Sequence, residues 1–126
     1  MTVVFKSVVP YAGDALQLPV GNVEAAIPYY ERIMGFRVVS RQAEPLAHVI
    51  LARDGIRIGL AENGGDPTQE GCFFEVDNID AAFAEINGEP PAPGAINSQR
   101  MKGRTYRAFF SIAPDGLCYL IGQPSD

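Results

Sequence analysis

A chain of 126 residues with 47% apolar and 20% charged side chains has the length and composition of one folded domain. Its formal net charge of −5 argues against the basic surface that nucleic-acid binding requires, and no apolar run approaches the ~20 residues of a membrane span. No basic stretch precedes a long apolar one near the start, so a signal peptide is not predicted and we expect a cytoplasmic protein.

The first half of the chain, residues 14–62, predicts a strand, a helix and three further strands. The stretch DALQLPV (14–20) alternates like a strand, and Asn22 is a good N-cap for the amphipathic helix that VEAAIPYYERIM predicts. Three strand candidates follow, at residues 36–42, 47–53 and 56–62. The last two flank Asp54-Gly55, which is a strong signal for a two-residue hairpin turn.

The second half, residues 72–122, repeats this order. The stretch VDNIDAAF (76–83) echoes VGNVEAAI (20–27), so Asn78 is predicted to cap a second helix as Asn22 caps the first. Two strand candidates then flank the turn Pro114-Asp115-Gly116, at residues 106–113 and 117–122. Two cysteines, Cys72 and Cys118, lack the spacing of a zinc or redox motif and are predicted to be small buried apolar residues. A disulfide between them is the alternative, which a cytoplasmic protein would rarely keep.

The repeat predicts an α+β fold of two tandem β-α-β-β-β modules related by a pseudo-two-fold axis, with one helix outside each sheet. We treat residues 1–126 as a single domain. Residues 1–13 precede the first module, and we expect them to form either an edge strand or an arm at a dimer interface.

The stretches LPVGNVEAAIPYYERIMGF and SIAPDGLCYLIG resemble the vicinal oxygen chelate superfamily, which includes glyoxalase I, extradiol dioxygenases and bleomycin-resistance proteins. The resemblance extends from Ala15 to Gly122. It implies that each sheet curls to line a cleft, and that metal-dependent members place one ligand on the first and last strand of each half. Counting from the matching motifs puts these ligand positions at Ala15, Gly59, Gly71 and Leu120. None of these side chains can donate a lone pair to a metal ion, so we expect no metal and no cofactor.

Strand alternation predicts which other side chains share the cleft face with those four positions. A two-residue turn at Asp54-Gly55 would place Gly59 opposite Ile50, Arg57 opposite Ala52 and Ala61 opposite His48. The same logic in the second module would place Leu120 opposite Ser111, with Phe109 and Arg107 next along the strand. The predicted ligand-binding residues are therefore Gln17, His48, Ile50, Arg57, Phe73, Glu75, Arg107, Phe109, Ser111 and Leu120.

Several of these polar residues have a structural alternative. His48, which lies among apolar residues, is more typical of a hydrogen-bonded structural histidine than of a base. Glu75 would serve equally well as an ion-pair partner of Arg57 or Arg107 across the cleft.

The resemblance is greatest to the metal-free, bleomycin-resistance type of protein. It implies a homodimer that binds or sequesters a small, partly aromatic compound, and a cationic group on that compound would suit the acidic chain. One alternative is a metal-dependent lyase, isomerase or dioxygenase with an off-pattern site drawn from His48, Glu75, Gln17 or Glu62. A third hypothesis is a dimeric interaction module whose cleft is filled by its own side chains.

Overall fold

A computed structural model describes residues 3–11, 13–86, 96–101 and 103–125 and confirms an α+β fold with two sheets and two helices. The elements of the first half are β1 (Phe5–Pro10), β2 (Leu18–Pro19), α1 (Val23–Arg32), β3 (Arg37–Gln42), β4 (His48–Arg53) and β5 (Ile56–Ala61). Those of the second half are β6 (Gly71–Val76), α2 (Ile79–Ile86), β7 (Asn97–Met101), β8 (Arg104–Ile112) and β9 (Cys118–Pro124). No helix among the described residues is long and apolar enough to cross a membrane.

The repeat seen in the sequence is a repeat of structure. One sheet has the strand order β2-β5-β4-β3, and the other has β6-β9-β8-β7 with β1 added beside β6. In each module the first strand runs parallel to the last, and the remaining pairs are antiparallel. Each helix begins with the same cap, because Asn22 Oδ1 accepts from the Ala25 amide at 2.9 Å and Asn78 Oδ1 from the Ala81 amide at 3.0 Å.

The N-terminal segment differs from the expectation in one respect. Residues 14–20 were predicted to be a strand, but Ala15–Gln17 form a 3₁₀ turn and only Leu18–Pro19 pair with β5. The Asp14 side chain accepts from the Leu16 amide at 2.9 Å and so caps this turn in place of a strand ladder. Of the two alternatives for residues 1–13, Phe5–Pro10 forms an edge strand, antiparallel to β6. The sequence also predicts that Asn87-Gly88 ends the second helix and that residues 89–95 form a loop, but both segments lie outside the described residues.

The helix-facing sides of the two sheets share one core. Its large and fully buried members include Phe5, Tyr30, Leu51, Phe74 and Tyr119. Burial of each such side chain stabilises the fold by roughly 1.5–3 kcal/mol. The hydroxyls of Tyr30 on α1 and Tyr119 on β9 lie 2.6 Å apart and share a hydrogen bond between the modules. Because the core lies on the helix side, the opposite face of each sheet is available to contact other parts of the chain or a ligand.

Candidate functional site

The face of the five-stranded sheet that points away from the core carries a second, smaller apolar cluster. Along β6, Phe74 and Val76 enter the core, so Phe73 and Glu75 point to the other face. Phe73 packs there with Tyr106, Ala108 and Leu120 from the neighbouring strands, and Met101 joins them from β7. We call this surface the open face.

A small cavity lies on the open face. It has a volume of about 90 Å³ and is lined by Ser7, Val9, Phe73, Glu75, Met101 and Tyr106. The rings of Phe73 and Tyr106 meet edge to face with centroids 5.0 Å apart. Gly122 lies beneath Phe73, where an added Cβ would come within 2.8 Å of the ring. A water molecule occupies about 30 Å³ in the liquid, so this cavity has room for only a few non-hydrogen atoms, such as one functional group of a ligand. The rest of a larger ligand must extend over the open face.

Glu75 is the carboxylate of this cavity. Its side chain is 20% exposed, and its Oε2 lies 3.6 Å from Nζ of Lys6, which is itself 55% exposed. A pair with such an exposed lysine contributes only about 0–1 kcal/mol, so a ligand cation can compete for the carboxylate. The proposed pairing of Glu75 with Arg57 or Arg107 is wrong, because its partner comes from β1.

The predicted pairing of β8 with β9 is wrong by one residue. The Ala113 amide donates to the Leu117 carbonyl at 2.8 Å, so the loop between them has three residues and ends at Gly116 with φ of 109°. Phe110, not Ser111, therefore lies opposite Leu120. A one-residue shift exchanges the two faces of a strand.

Three predicted site residues consequently belong to the core side of the sheet. Phe109 is buried against Phe83. The Ser111 hydroxyl lies 2.6 Å from the Tyr29 hydroxyl, and burial raises the pKa of Tyr29 to about 12 despite this hydrogen bond. Arg107 donates to Asp80 on α2, with both N–O distances at 3.2 Å.

The side chains that replace them on the open face are apolar. Phe110 is 47% exposed and Ile112 is 65% exposed, and both lie on the same side of β8 as Tyr106. The sequence reasoning missed Ser7, Val9, Met101, Tyr106 and these two. Gly116, at the third position of the turn, could have indicated the correct pairing of β8 with β9, because a glycine there is typical of three-residue hairpin loops with a bulge.

In the first module the predicted pairings are confirmed, but the 3₁₀ turn covers the face. Gly59 lies opposite Ile50, Ala52 opposite Arg57, and His48 opposite Ala61. A Cβ at Gly59 would lie 2.1 Å from the Leu16 carbonyl oxygen, so the missing side chain makes room for backbone and not for a ligand.

The other predicted residues of this module also take structural places. The His48 ring donates from Nε2 to the Leu16 carbonyl at 2.8 Å, and Gln17 lies in the exposed turn with its carbonyl accepting from Asn63. Ile50 is half-buried and Arg57 is exposed. None of these four lines the cavity of the open face.

The residues at the expected metal positions do not fit a metal ion. Ala15 lies in the 3₁₀ turn, and Leu120 packs in the apolar cluster. Gly71 lies beneath the Tyr11 ring, which an added Cβ would approach to 2.8 Å. Across the described ranges, no group of three or more His, Cys, Asp or Glu side chains converges on one point. The off-pattern donors are also dispersed, since Glu62 accepts from the Val23 amide at the start of α1.

A second cavity, of about 300 Å³, lies between the start of α1 and the β8–β9 turn. It is lined by Gly21, Asn22, Ala25, Ala26, Pro114 and Asp115. Burial raises the pKa of the Asp115 carboxyl, and the nearby amides of Leu117 and Asp115 offset part of this rise. Both carboxylate oxygens are buried without a hydrogen bond of good geometry from the described residues. Asn22 Oδ1 is engaged in the helix cap and the Asp115 oxygens are buried, so the open face offers the better-defined charged anchor for a ligand.

Comparison with known proteins agrees with this architecture. The sequence profile of the Glyoxalase/Bleomycin resistance protein/Dioxygenase superfamily matches residues 12–109. A comparison with curated protein sequences gives no match.

Similar solved structures show the same fold. A protein from the mobile metagenome of V. Pseudocholerae is 17% identical, with a TM-score of 0.70 over 91% of this chain and 95% of that chain. TnmS3, an antibiotic binding protein from Streptomyces sp. CB03234, is 20% identical, with a TM-score of 0.66 over 90% and 97% of the two chains. A bleomycin resistance determinant encoded on the transposon Tn5 is 22% identical, with a TM-score of 0.61 over 91% and 99%.

Proposed function

The chain belongs to the glyoxalase/bleomycin resistance protein/dioxygenase superfamily, and we propose that it binds a small, partly aromatic molecule with a cationic group at the open face. Membership of this superfamily supports small-molecule binding at the level of the family, as do the antibiotic binding protein TnmS3 and the bleomycin resistance determinant of the same fold. The observation that carries the finer proposal is the cavity in which Glu75 lies beside the rings of Phe73 and Tyr106.

The chemistry of these three side chains selects the ligand. Aromatic rings favour a planar apolar body through stacked or edge-to-face contacts. A half-buried carboxylate favours an ammonium or guanidinium group, because charge-assisted hydrogen bonds are stronger than neutral ones. We propose binding without metal chemistry, because Ala15, Gly59, Gly71 and Leu120 offer a metal ion no side-chain donor. Sequestration of an antibiotic in the cytoplasm is one role that such binding would serve.

We further propose that a second copy of the chain covers the open face and completes the site. Phe110 and Ile112 lie side by side with the Leu120 cluster and are 47% and 65% exposed. Contiguous apolar surface of this kind is typical of an interface. A partner over these residues would also enclose the part of the ligand that the cavity of about 90 Å³ leaves uncovered. Analytical ultracentrifugation should show a dimer, and Ile112→Lys should shift the sedimentation towards the monomer.

The binding proposal is tested by isothermal titration of the purified protein with 4-(aminomethyl)biphenyl, a planar aromatic cation, and with bleomycin as a second probe. Glu75→Gln should weaken binding of the biphenyl amine about tenfold, the effect of losing one charge-assisted contact of ~1.4 kcal/mol. The matched control is Glu31→Gln, which removes an exposed carboxylate from α1 and should leave the affinity unchanged. Equal affinities for the wild type and Glu75→Gln would contradict the proposal.

A ligand-free interaction module is the second candidate, and the small volume of the cavity favours it. That function predicts a dimer that binds neither probe. Mass spectrometry of metals in the untagged protein, before and after soaking in nickel, zinc, manganese and iron(II), tests the metal-dependent alternative. A stoichiometric ion that survives dialysis would restore it.

A further inference from the structure

The basic residues of the second half are concentrated in one hairpin. Between residues 90 and 114 the sequence holds four Lys or Arg residues and no Asp or Glu, in a chain whose formal net charge is −5. The four are Arg100, Lys102, Arg104 and Arg107. The proposed function uses none of them, although β7 and β8, on which this hairpin is built, both contribute to the cavity.

The structure gives these cations different directions. Arg107 binds Asp80 on the core side of the sheet, and Arg100 donates within the hairpin to Thr105 Oγ1 at 3.1 Å and to the Gly103 carbonyl at 3.2 Å. Lys102 lies outside the described residues. Arg104 precedes Tyr106 by two residues and therefore lies on the open face.

Arg104 extends over a wall of the cavity. Its Cζ atom is 5.7 Å from the centroid of the Tyr106 ring, within the range of a cation–π interaction. Its cross-strand neighbour is Met101, and both Met101 and Tyr106 line the cavity. The guanidinium is thus held at the hairpin end of the same site that contains Glu75.

The strand pairing fixes the separation of the two charges. Glu75 on β6 pairs with Gly122 on β9, and Gly122 pairs with Ala108 on β8. Arg104 lies on β8 four residues before Ala108. Two strand spacings and four residues along a strand separate the Cα atoms of Glu75 and Arg104 by about 16 Å. The open face therefore presents a negative charge at Glu75 and a positive charge at Arg104, and Tyr106 lies between the two levels of the sheet.

We propose that the molecule bound at the open face is a zwitterion, with its cationic group at Glu75 and a carboxylate, sulfate or phosphate group at Arg104. This inference rests on the proposed function and specifies the class of ligand. A guanidinium is suited to this role, because it donates two parallel N–H bonds to a planar anionic group. The contact with the Tyr106 ring already restricts the Arg104 side chain, so ligand binding costs less side-chain entropy.

Three probes with one biphenyl skeleton test the inference by isothermal titration at low salt. They are 4-(aminomethyl)biphenyl, biphenyl-4-carboxylate and 4′-(aminomethyl)biphenyl-4-carboxylate. The zwitterion should bind the wild-type protein about tenfold more tightly than the cation, as expected for one added charge-assisted pair. Arg104→Gln should abolish this gain, so that the zwitterion and the cation bind this variant with equal affinity. Arg100→Gln, in the same hairpin but directed away from the cavity, is the matched control and should retain the gain.

The outcomes separate the two proposals. Binding of the cation that depends on Glu75, with no gain from the added carboxylate, would overturn the zwitterion inference and leave the proposed function intact. A gain that persists in Arg104→Gln would also overturn it. If the wild-type protein binds none of the three probes, the proposed function itself fails. Circular dichroism of each variant establishes that the fold is retained, as expected for an exposed arginine.

Discussion

Replacing Arg53 by methionine should destabilise the protein more than breaking any exposed ion pair, because its buried guanidinium joins separate parts of the chain. Its Nη1 donates to the Met34 carbonyl, just after α1, at 2.7 Å. Its Nη2 donates to the Val3 carbonyl, just before β1, at 3.1 Å and to Glu85 on α2 at 3.1 Å. The guanidinium carbon also lies 4.4 Å from the centroid of the Phe5 ring.

The size of the effect follows from what each partner loses. Methionine would fill much of the volume but leave the carbonyls of Met34 and Val3 buried without a donor, at about 1–3 kcal/mol each. Glu85 has a side chain that is 38% exposed, so water can replace most of its ion pair. We therefore expect Arg53→Met to lower the free energy of unfolding by about 2–6 kcal/mol, the sum for the two unpaired carbonyls. At 0.05–0.15 kcal/mol per residue, this is a large part of the total stability.

Urea unfolding followed by circular dichroism measures this difference. The control is Arg41→Met, which breaks the pair of Arg41 with Glu24, whose side chains are 52% and 71% exposed. Exposed pairs contribute about 0–1 kcal/mol, so this variant should be nearly as stable as the wild type. If Arg53→Met cost no more than Arg41→Met, the buried guanidinium would not be holding the N-terminal segment and α2 to the first module.

Three further predictions concern buried groups. Gly59→Ala should lower the urea midpoint by an amount equivalent to about 1–3 kcal/mol, because the added Cβ would lie 2.1 Å from the Leu16 carbonyl oxygen; an unchanged midpoint would show that the 3₁₀ turn can move away freely. Tyr119→Phe should lower the free energy of unfolding by about 1 kcal/mol in the same assay, because it removes the hydroxyl that lies 2.6 Å from the Tyr30 hydroxyl. Tyr30→Phe should destabilise the Tyr119→Phe variant less than it destabilises the wild type, since the two hydroxyls share one hydrogen bond. Burial raises the pKa of Asp115 above its usual value, so the contribution of this one carboxyl to stability is lost as the pH rises through the raised value. The melting temperature of Asp115→Asn relative to the wild type should therefore increase between pH 3 and 7, and a constant difference would refute the assignment.

The sequence predicted best those features that neighbouring residues determine. Asn22 and Asn78 cap their helices through hydrogen bonds that span three residues. The similarity of the two stretches around them was therefore enough to predict the repeat of the module. The Asp54-Gly55 turn has two residues, as its composition favours, and Asp54 adopts the positive φ of 55° that such a turn requires. The register of β4 with β5 followed from that turn without any long-range information.

The register of β8 with β9 could not be decided in this way. Pro114, Asp115 and Gly116 suit either a two-residue or a three-residue loop, and the two differ by only one residue in the pairing of the strands. That residue decides whether Phe109 or Phe110 faces the cavity side, so a local uncertainty became an error about the site. The partner of Glu75 was missed for a different reason, because Lys6 reaches it from a strand whose pairing no local pattern indicates.

The N-terminal segment makes the two similar modules differ, so that only the second is expected to bind a ligand. The turn at Ala15–Gln17 covers the open side of the first sheet, and Gly59 accommodates its backbone there. Strand β1 instead extends the second sheet, where Ser7 and Val9 form one wall of the cavity. A single stretch of chain thus closes the site in one half and builds it in the other. Any ligand that uses Glu75 is therefore expected to bind once per chain, although the fold carries the module twice.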